Sequence, residues 1–157
     1  MKKLRIGWFT FTCSEDSSIM FVELMNRHFF EWRDKLEFAH VGILSSRSDL
    51  KDLDVAFVEG AISGKKEIER LRKVRAIAKK LVAVGACAVT GLPAGQRNSF
   101  SEDKMERIRS FLKLHGLNEK VEPVKNFVQV DAEVPGCPMD EKTFLAVLDK
   151  YIAEFQA

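Results

Sequence analysis

Apolar residues along this chain fall in short runs separated by longer amphipathic stretches. Leu4 to Thr12 (LRIGWFTFT) is β-rich and apolar, and reads as a first strand. The polar segment Cys13-Ser14-Glu15-Asp16 then leads into helical spacing. There Ile19, Val22, Met25, Phe29 and Trp32 recur at steps of three and four, which predicts one helix face packed on a sheet. Leu36 to Leu44, Leu53 to Val58 and Leu81 to Val84 read as further strands. They are short and nearly all apolar, so each is expected to be buried on both faces. Before the last of these, Lys65 to Lys80 places Ile68, Leu71, Val74 and Ile77 along an otherwise charged helix. Strands alternating with helices predict right-handed crossovers, a mostly parallel sheet and an α/β fold. Further on, Glu102 to Leu114 is amphipathic, Val121 to Val130 reads as a late strand and Lys142 to Phe155 as a closing helix. Neither an internal repeat nor a Pro-, Gly- and Ser-rich linker interrupts this order, so a single domain over residues 1–157 is expected.

Composition narrows the partners. With 157 residues and 46% hydrophobic content, the chain can bury a core that needs no disulfides. Its 25 basic and 23 acidic residues leave a net charge of +2, so no global field favours nucleic acid or an anionic membrane. No apolar run approaches the roughly 20 residues of a membrane span, and the N-terminus lacks the apolar core of a signal peptide. A cytoplasmic chain without a membrane span is therefore expected. Charge is concentrated in one place: Lys65 to Lys80 holds eight basic and two acidic residues, either a docking face for an acidic redox partner or a solvated helix surface.

Three cysteines are an odd number, and a reducing compartment favours metal or redox chemistry over a disulfide framework. In a parallel sheet, ligands gather outside the carboxyl ends of the strands. Cys13 follows the first strand, Glu59-Gly60 the third, and Cys87 the fourth within Val84-Gly85-Ala86-Cys87-Ala88. Cys137 sits in Val134-Pro135-Gly136-Cys137-Pro138, where two prolines stiffen a turn that glycine permits. Clustered thiolates suit soft metals and iron–sulfur clusters, while the alternative is that the cysteines are small buried hydrophobes. Glu59 is costly to bury unless paired, and is read as accepting backbone amides near the site or assisting protons, or as a loop residue. Arg97 and Asn98 are read as donors toward the site or as exposed loop. No Ser-His-Asp arrangement, phosphate-binding loop or dinucleotide fingerprint is present, which gives little support to a self-contained hydrolase, kinase or dehydrogenase.

Taken together, KLRIGWFTFT ending at a cysteine, VAFVEGAIS, VGACAVTG followed by LPAGQRN, and VPGCPMD resemble the [NiFe] hydrogenase small subunits and the related cluster-bearing 20 kDa-like subunit of NADH:ubiquinone oxidoreductase. The resemblance runs over nearly the whole chain. It is nearest to the short cytoplasmic forms, including sulfhydrogenase delta subunits, without their C-terminal ferredoxin-like domain. It implies a flavodoxin-like three-layer domain carrying the proximal [4Fe-4S] cluster beside a hydrogenase-like large subunit. Electrons would pass to further electron-carrier subunits, and the chain would not be catalytic alone. Carried over residue by residue, the resemblance makes Cys13, Cys87 and Cys137 cluster ligands, with Glu59 and Arg97 as candidates for the surrounding shell. The family pattern has a second cysteine three positions after the first, and here that position is Asp16.

A carboxylate can ligate iron, as a harder donor than thiolate, so Asp16 is a candidate fourth ligand. Ser14, Asp16 and Ser17 equally stand where side-chain oxygens cap a helix. Ser14, Glu15, solvent or a partner could fill the position instead, or the cluster could be [3Fe-4S]. Competing functions are a cluster subunit of a complex-I-like or nickel-free oxidoreductase, and a scaffold in which the three cysteines and Asp16 hold zinc. A flavodoxin-like FMN binder is disfavoured because the loop after the first strand lacks the Ser, Thr and Gly of a phosphate cradle.

Overall fold

The computed structural model describes residues 2–46 and 50–156 of the 1–157 expected to form one domain. β1 (Leu4–Thr10) leads into α1 (Asp16–Arg27) and the short α2 (Phe29–Lys35), followed by β2 (Leu36–Val41), β3 (Leu53–Glu59), β4 (Ile62–Gly64) and α3 (Lys65–Ile77). The order is completed by β5 (Ala78–Val84), α4 (Gly85–Thr90), α5 (Glu102–Leu114), β6 (Leu117–Glu122), β7 (Ala132–Val134) and α6 (Glu141–Gln156). Five strands form one sheet in the order β2-β1-β3-β5-β7, and every pairing in it is parallel. The predicted α/β architecture is therefore present. Because β2 lies on one side of β1 and β3 on the other, winding reverses at β1, which opens a crevice above the carboxyl ends of β1 and β3.

Alternation along the strands builds the two outer layers. On one face Ile6, Trp8, Phe57 and Val82 pack with Phe21 and Leu24 of α1, Trp32 of α2 and Phe144 and Leu148 of α6. On the other, Phe9, Ala56, Val58, Leu81 and Ala83 pack with Leu71 and Val74 of α3 and Ala88 of α4. Every residue of β3 is buried, as its continuous apolar run requires. Its one acid near the amino end, Asp54, accepts the Arg5 backbone N–H at 3.0 Å and Lys79 Nζ at 2.7 Å. Burial alone would raise this carboxyl's pKa; the Lys79 and Arg5 donors overcome it and hold the group below its usual range.

Several expectations change. The stripe Ile19, Val22, Met25, Phe29, Trp32 does not face the sheet as a unit: Ile19 is 53% and Phe29 56% exposed, while Trp32 is buried. Phe21 and Leu24 turn inward instead, because the Trp8 and Phe21 rings stack at 4.3 Å. The chain also breaks at His28 (φ −105°, ψ 14°), splitting the expected single helix. Val22, Met25, Phe29 and Trp32 line a surface groove of about 470 Å³ with Leu36, Phe38 and Leu44. The first two strands end earlier than expected, at Thr10 and Val41. The helix expected to reach Lys80 stops at Ile77, since Ala78 already pairs with Leu53 as a strand. The late strand expected over Val121–Val130 is not one element. Pro123 ends β6, a 3-10 turn follows at Val124–Asn126, and β7 begins only at Ala132. β4 and β6 form a separate antiparallel pair. Among the described residues no helix is long and apolar enough to cross a membrane.

Candidate functional site

Four segments that leave the sheet at its carboxyl end close around one cleft. Cys13, Asp16, Ser17, Glu59, Gly60, Gly85, Cys87 and Cys137 all line it. The chain leaving β1 is fixed against that leaving β3: Phe11 N–H donates to Glu59 O at 2.8 Å, and Thr12 and Ala61 exchange backbone hydrogen bonds at 3.1 and 2.9 Å. Such close approach demands Gly60, whose φ is +97°; a Cβ there would lie 2.8 Å from the backbone carbon of Phe11. The turn bearing Cys137 is held by Ala86 N–H donating to Gly136 O at 2.7 Å and Met139 N–H donating to Ser17 Oγ at 3.1 Å. Gly136 has φ +110°, and a Cβ would meet the Pro138 carbonyl at 2.6 Å.

All three cysteines are free: Cys87 is buried, Cys13 half-buried and Cys137 exposed. Cys13 and Cys87 pack on the same small apolar patch of Ala61, Val121 and Ala94. The Cys137 thiol donates to Asp16 Oδ2 at 3.1 Å, so the candidate fourth ligand reaches a candidate thiol ligand directly. Asp16 also accepts the Ser17 N–H at 2.8 Å through its other oxygen. Asp16 thus meets the next residue's backbone and the Cys137 thiol through different oxygens of one carboxylate. Glu15, at the helix start, adopts φ 60° and makes no side-chain cap.

Glu59 is 1% exposed and caps α1 from another element. Its carboxylate accepts the Ser17 N–H at 3.0 Å and the Ser18 hydroxyl. Ser18 Oγ in turn accepts Trp8 Nε1–H at 2.8 Å. Burial raises the Glu59 pKa, the serine donors oppose it, and the Asp16 charge adds to the rise. Serines 17 and 18, fully buried, are the site residues that sequence reasoning missed; their one signal was position before an apolar run, which reads as capping. Arg97 is not brought into the cleft. Its guanidinium donates to the carbonyls of Ser63, Asn118 and Glu119 at 3.0, 2.8 and 3.2 Å, clasping β4 to β6. Asn98 bonds both backbone groups of Val121.

Among the described residues, no three His, Cys, Asp or Glu side chains converge closely enough to grip a single metal ion. A tetrahedral zinc ion draws its ligands to about 2.0–2.3 Å from one point, whereas here the donors ring a cleft. The donor set fits an iron–sulfur cluster in kind: three thiols, one carboxylate, and backbone donors aimed at sulfur. Glu15 N–H donates to Cys13 Sγ at 3.4 Å, and the Ala94 N–H points to Cys87. Such N–H···S bonds tune cluster potentials.

Without metal the thiols hold their protons. Burial and then the Glu59 charge push Cys13 up to about 12. Burial raises Cys87, and the Asp16 hydrogen bond followed by burial raises Cys137. Because the folded Cys13 pKa exceeds its ordinary value of 9.0, this thiol contributes stability that is fully present below pH 9.0 and is lost as pH rises toward about 12. The metal-free protein is therefore expected to lose urea resistance across that window more steeply than Cys13→Ser, which has no titrating thiol there. Equal slopes for the two proteins would refute the assignment.

Residues 14–151 match the family model for the NADH ubiquinone oxidoreductase 20 kDa subunit. The sulfhydrogenase 2 delta subunit of Pyrococcus furiosus is 34% identical over 122 residues, covering 73% of this chain and 49% of that protein. The delta subunit of the NAD-reducing hydrogenase HoxS of Cupriavidus necator is 30% identical over 128 residues, covering 69% of this chain and 61% of that one. The chain thus spans about half the length of the curated relatives it matches. A chain in the crystal structure of an H2-reduced NAD+-reducing [NiFe]-hydrogenase superposes with a TM-score of 0.82 at 24% identity, covering 98% of this chain and 93% of that chain, a likeness of fold.

Proposed function

Since the chain belongs to the NADH ubiquinone oxidoreductase 20 kDa subunit family, we propose that it is the electron-transfer small subunit of a hydrogenase-like oxidoreductase complex, holding one [4Fe-4S] cluster. Its partners in this reading are a hydrogenase-like large subunit and further electron-carrier subunits. The observation that carries the reading is the meeting of Cys13, Asp16, Cys87 and Cys137, from segments far apart in sequence, around one cleft at the carboxyl end of a parallel sheet. The relatives' names, which describe subunits of hydrogenases, support the kind of complex.

The cluster would supply one-electron redox chemistry, and the chain's residues do the rest. Cys87 anchors the inner side of the site from the start of a short helix, in apolar surroundings that exclude water. Cys13 lies on the β1 exit, where Glu15 N–H steadies its sulfur. Cys137 closes the outer side from a turn fixed at both ends. Asp16 stands beside Cys137, placed to ligate through Oδ2 while Oδ1 holds the helix start. Glu59 orients that helix through Ser17 and Ser18, and so sets where Asp16 points. With the three thiols and Asp16 committed to the cluster in this reading, bond chemistry belongs to the partner subunit.

The test is anaerobic purification with iron, sulfide and zinc analysis, and EPR of the reduced wild type and of Asp16→Cys. The expected result is iron and sulfide in equal amounts, with a signal whose g-values change in Asp16→Cys because a hard oxygen donor has become a thiolate. A wild-type spectrum unchanged by the substitution would remove Asp16 from the ligand set. Zinc without iron would overturn the electron-transfer reading altogether.

A further inference from the structure

The basic residues between Lys65 and Lys80 divide into two groups. Arg75, Lys79 and Lys80 meet acids of this chain, Asp131 at 3.6 Å, Asp54 at 2.7 Å and Glu154 at 3.3 Å. Lys65, Lys66, Arg72 and Lys73 are exposed and have no ion-pair partner among the described residues. Arg70 keeps its charge at the surface while stacking 4.8 Å over Phe11 and donating to Thr10 O at 2.9 Å. The whole chain carries only +2, while this segment carries eight basic residues against two acidic ones. The remainder is net acidic, so the molecule is electrically lopsided, with its positive pole on α3.

Two of these charges oppose local stability. Lys65 and Lys66 occupy the first positions of α3, where the helix dipole favours acids and disfavours cations. A helix face selected only for solubility would carry Asp or Glu there. The same end of α3 is wired to the candidate cluster site. Glu67 accepts the Thr12 hydroxyl at 2.9 Å, one residue before Cys13. Arg70 covers Phe11, whose carbonyl faces the Cys13 thiol at 3.8 Å.

We propose that the outward face of α3, formed by Lys65, Lys66, Arg70, Arg72 and Lys73, is the docking surface for an acidic iron–sulfur electron carrier, an inference that rests on the cluster reading above. A cluster held by Cys13, Cys87 and Cys137 would supply one electron at a time, and the carrier's cluster would accept it by reduction of one ferric iron to ferrous, with no bond formed and no proton moved. The surface lies against the chain that leads into Cys13, through the Glu67 contact to Thr12 and the Arg70 contacts to Thr10 and Phe11. Unpaired cations on one side attract an acidic partner at long range and orient it, an effect that salt screens.

The test measures binding and electron transfer separately. The complex is purified with its cluster and companion subunits, and its affinity for an acidic plant-type ferredoxin is titrated between low and high salt, beside basic cytochrome c as a control of opposite charge. Affinity for the ferredoxin is expected to fall about tenfold or more with salt, and about tenfold or more in the variant K65E/K66E/R72E/K73E. Reduction of a neutral sulfonated viologen should be unchanged. Loss of binding through unfolding is not at issue, because Glu at the first two positions of α3 suits the helix dipole; a Lys-to-Gln version of the same four sites, expected to be intermediate, checks this. Affinity indifferent to salt and to charge reversal overturns the docking surface, as does binding of DNA or of anionic phosphatidylserine vesicles through α3 without ferredoxin binding. Salt-dependent ferredoxin binding by a protein that holds no cluster would keep the surface and sink the cluster reading instead.

Discussion

Cys87→Ser is expected to empty the site, lowering iron per chain by about tenfold or more, whereas Cys137→Ser keeps a labile fraction. The difference follows from where each sulfur sits. Cys87 is 8% exposed and packs with Ala61 and Val121, with Cys13 and Ala94 against them. Serine there offers an alcohol that deprotonates poorly, and water has little room to replace the lost ligand. Cys137 is exposed, so a solvent oxygen is at hand when its sulfur is removed. Cys13, half-buried, should fall between them. The fold should survive all three changes, since a thiol and an alcohol differ little in volume; urea unfolding free energies within about 1 kcal/mol of wild type are the control. Iron analysis and EPR across the three variants read out the order Cys87, Cys13, Cys137 in severity. Wild-type iron content in Cys87→Ser would remove Cys87 from the ligand set.

The cysteines were legible because their signal is topological. Three of the apolar runs were followed by Cys13, Glu59 or Cys87, and a parallel sheet sends such ends to one rim. Asp16 was legible as a departure from a pattern; in the structure one of its oxygens meets the Ser17 N–H and the other the Cys137 thiol. Ser17 and Ser18 were not legible in this way. A serine before an apolar run reads as a helix cap, and only the fold reveals that their acceptor is Glu59, which lies 42 and 41 residues away. The apolar spacing of Val121 to Val130 reported burial correctly but not conformation. Val124 is buried in a 3-10 turn, and Phe127, Val128 and Val130 pack on the α3 face of the sheet from irregular backbone. Arg97 shows the converse error. Its place after the Cys87 segment suggested the site, while the carbonyls it serves belong to a β4–β6 pair whose first strand has three residues and therefore leaves no periodic trace.

Trp8→Ala should cost about 3–5 kcal/mol, a large part of the roughly 5–15 kcal/mol that holds a domain of this size together. Trp8 is 2% exposed and stacks on Phe21 at 4.3 Å, with Phe57 at 5.9 Å and the edge of Phe144 at 6.0 Å. Truncation leaves a cavity between the sheet, α1 and α6 that three rings cannot all move to fill. The indole also carries a polar duty, since its N–H occupies Ser18 Oγ at 2.8 Å and leaves that hydroxyl's proton directed at Glu59. Trp8→Phe separates the two roles. It keeps an aromatic stack and removes the hydrogen bond, so a loss of about 1–2 kcal/mol is expected, with Ser18 free to turn from Glu59. Since Glu59 positions the start of α1, where Asp16 sits, the Phe variant should retain iron yet broaden or shift the EPR signal, while Trp8→Ala lowers the urea midpoint at similar m-value. An unfolding free energy in Trp8→Ala within about 1 kcal/mol of wild type would mean that the aromatic stack does not support this end of the sheet. An unaltered spectrum in Trp8→Phe would mean that the Trp8–Ser18–Glu59 chain has no hold on the site.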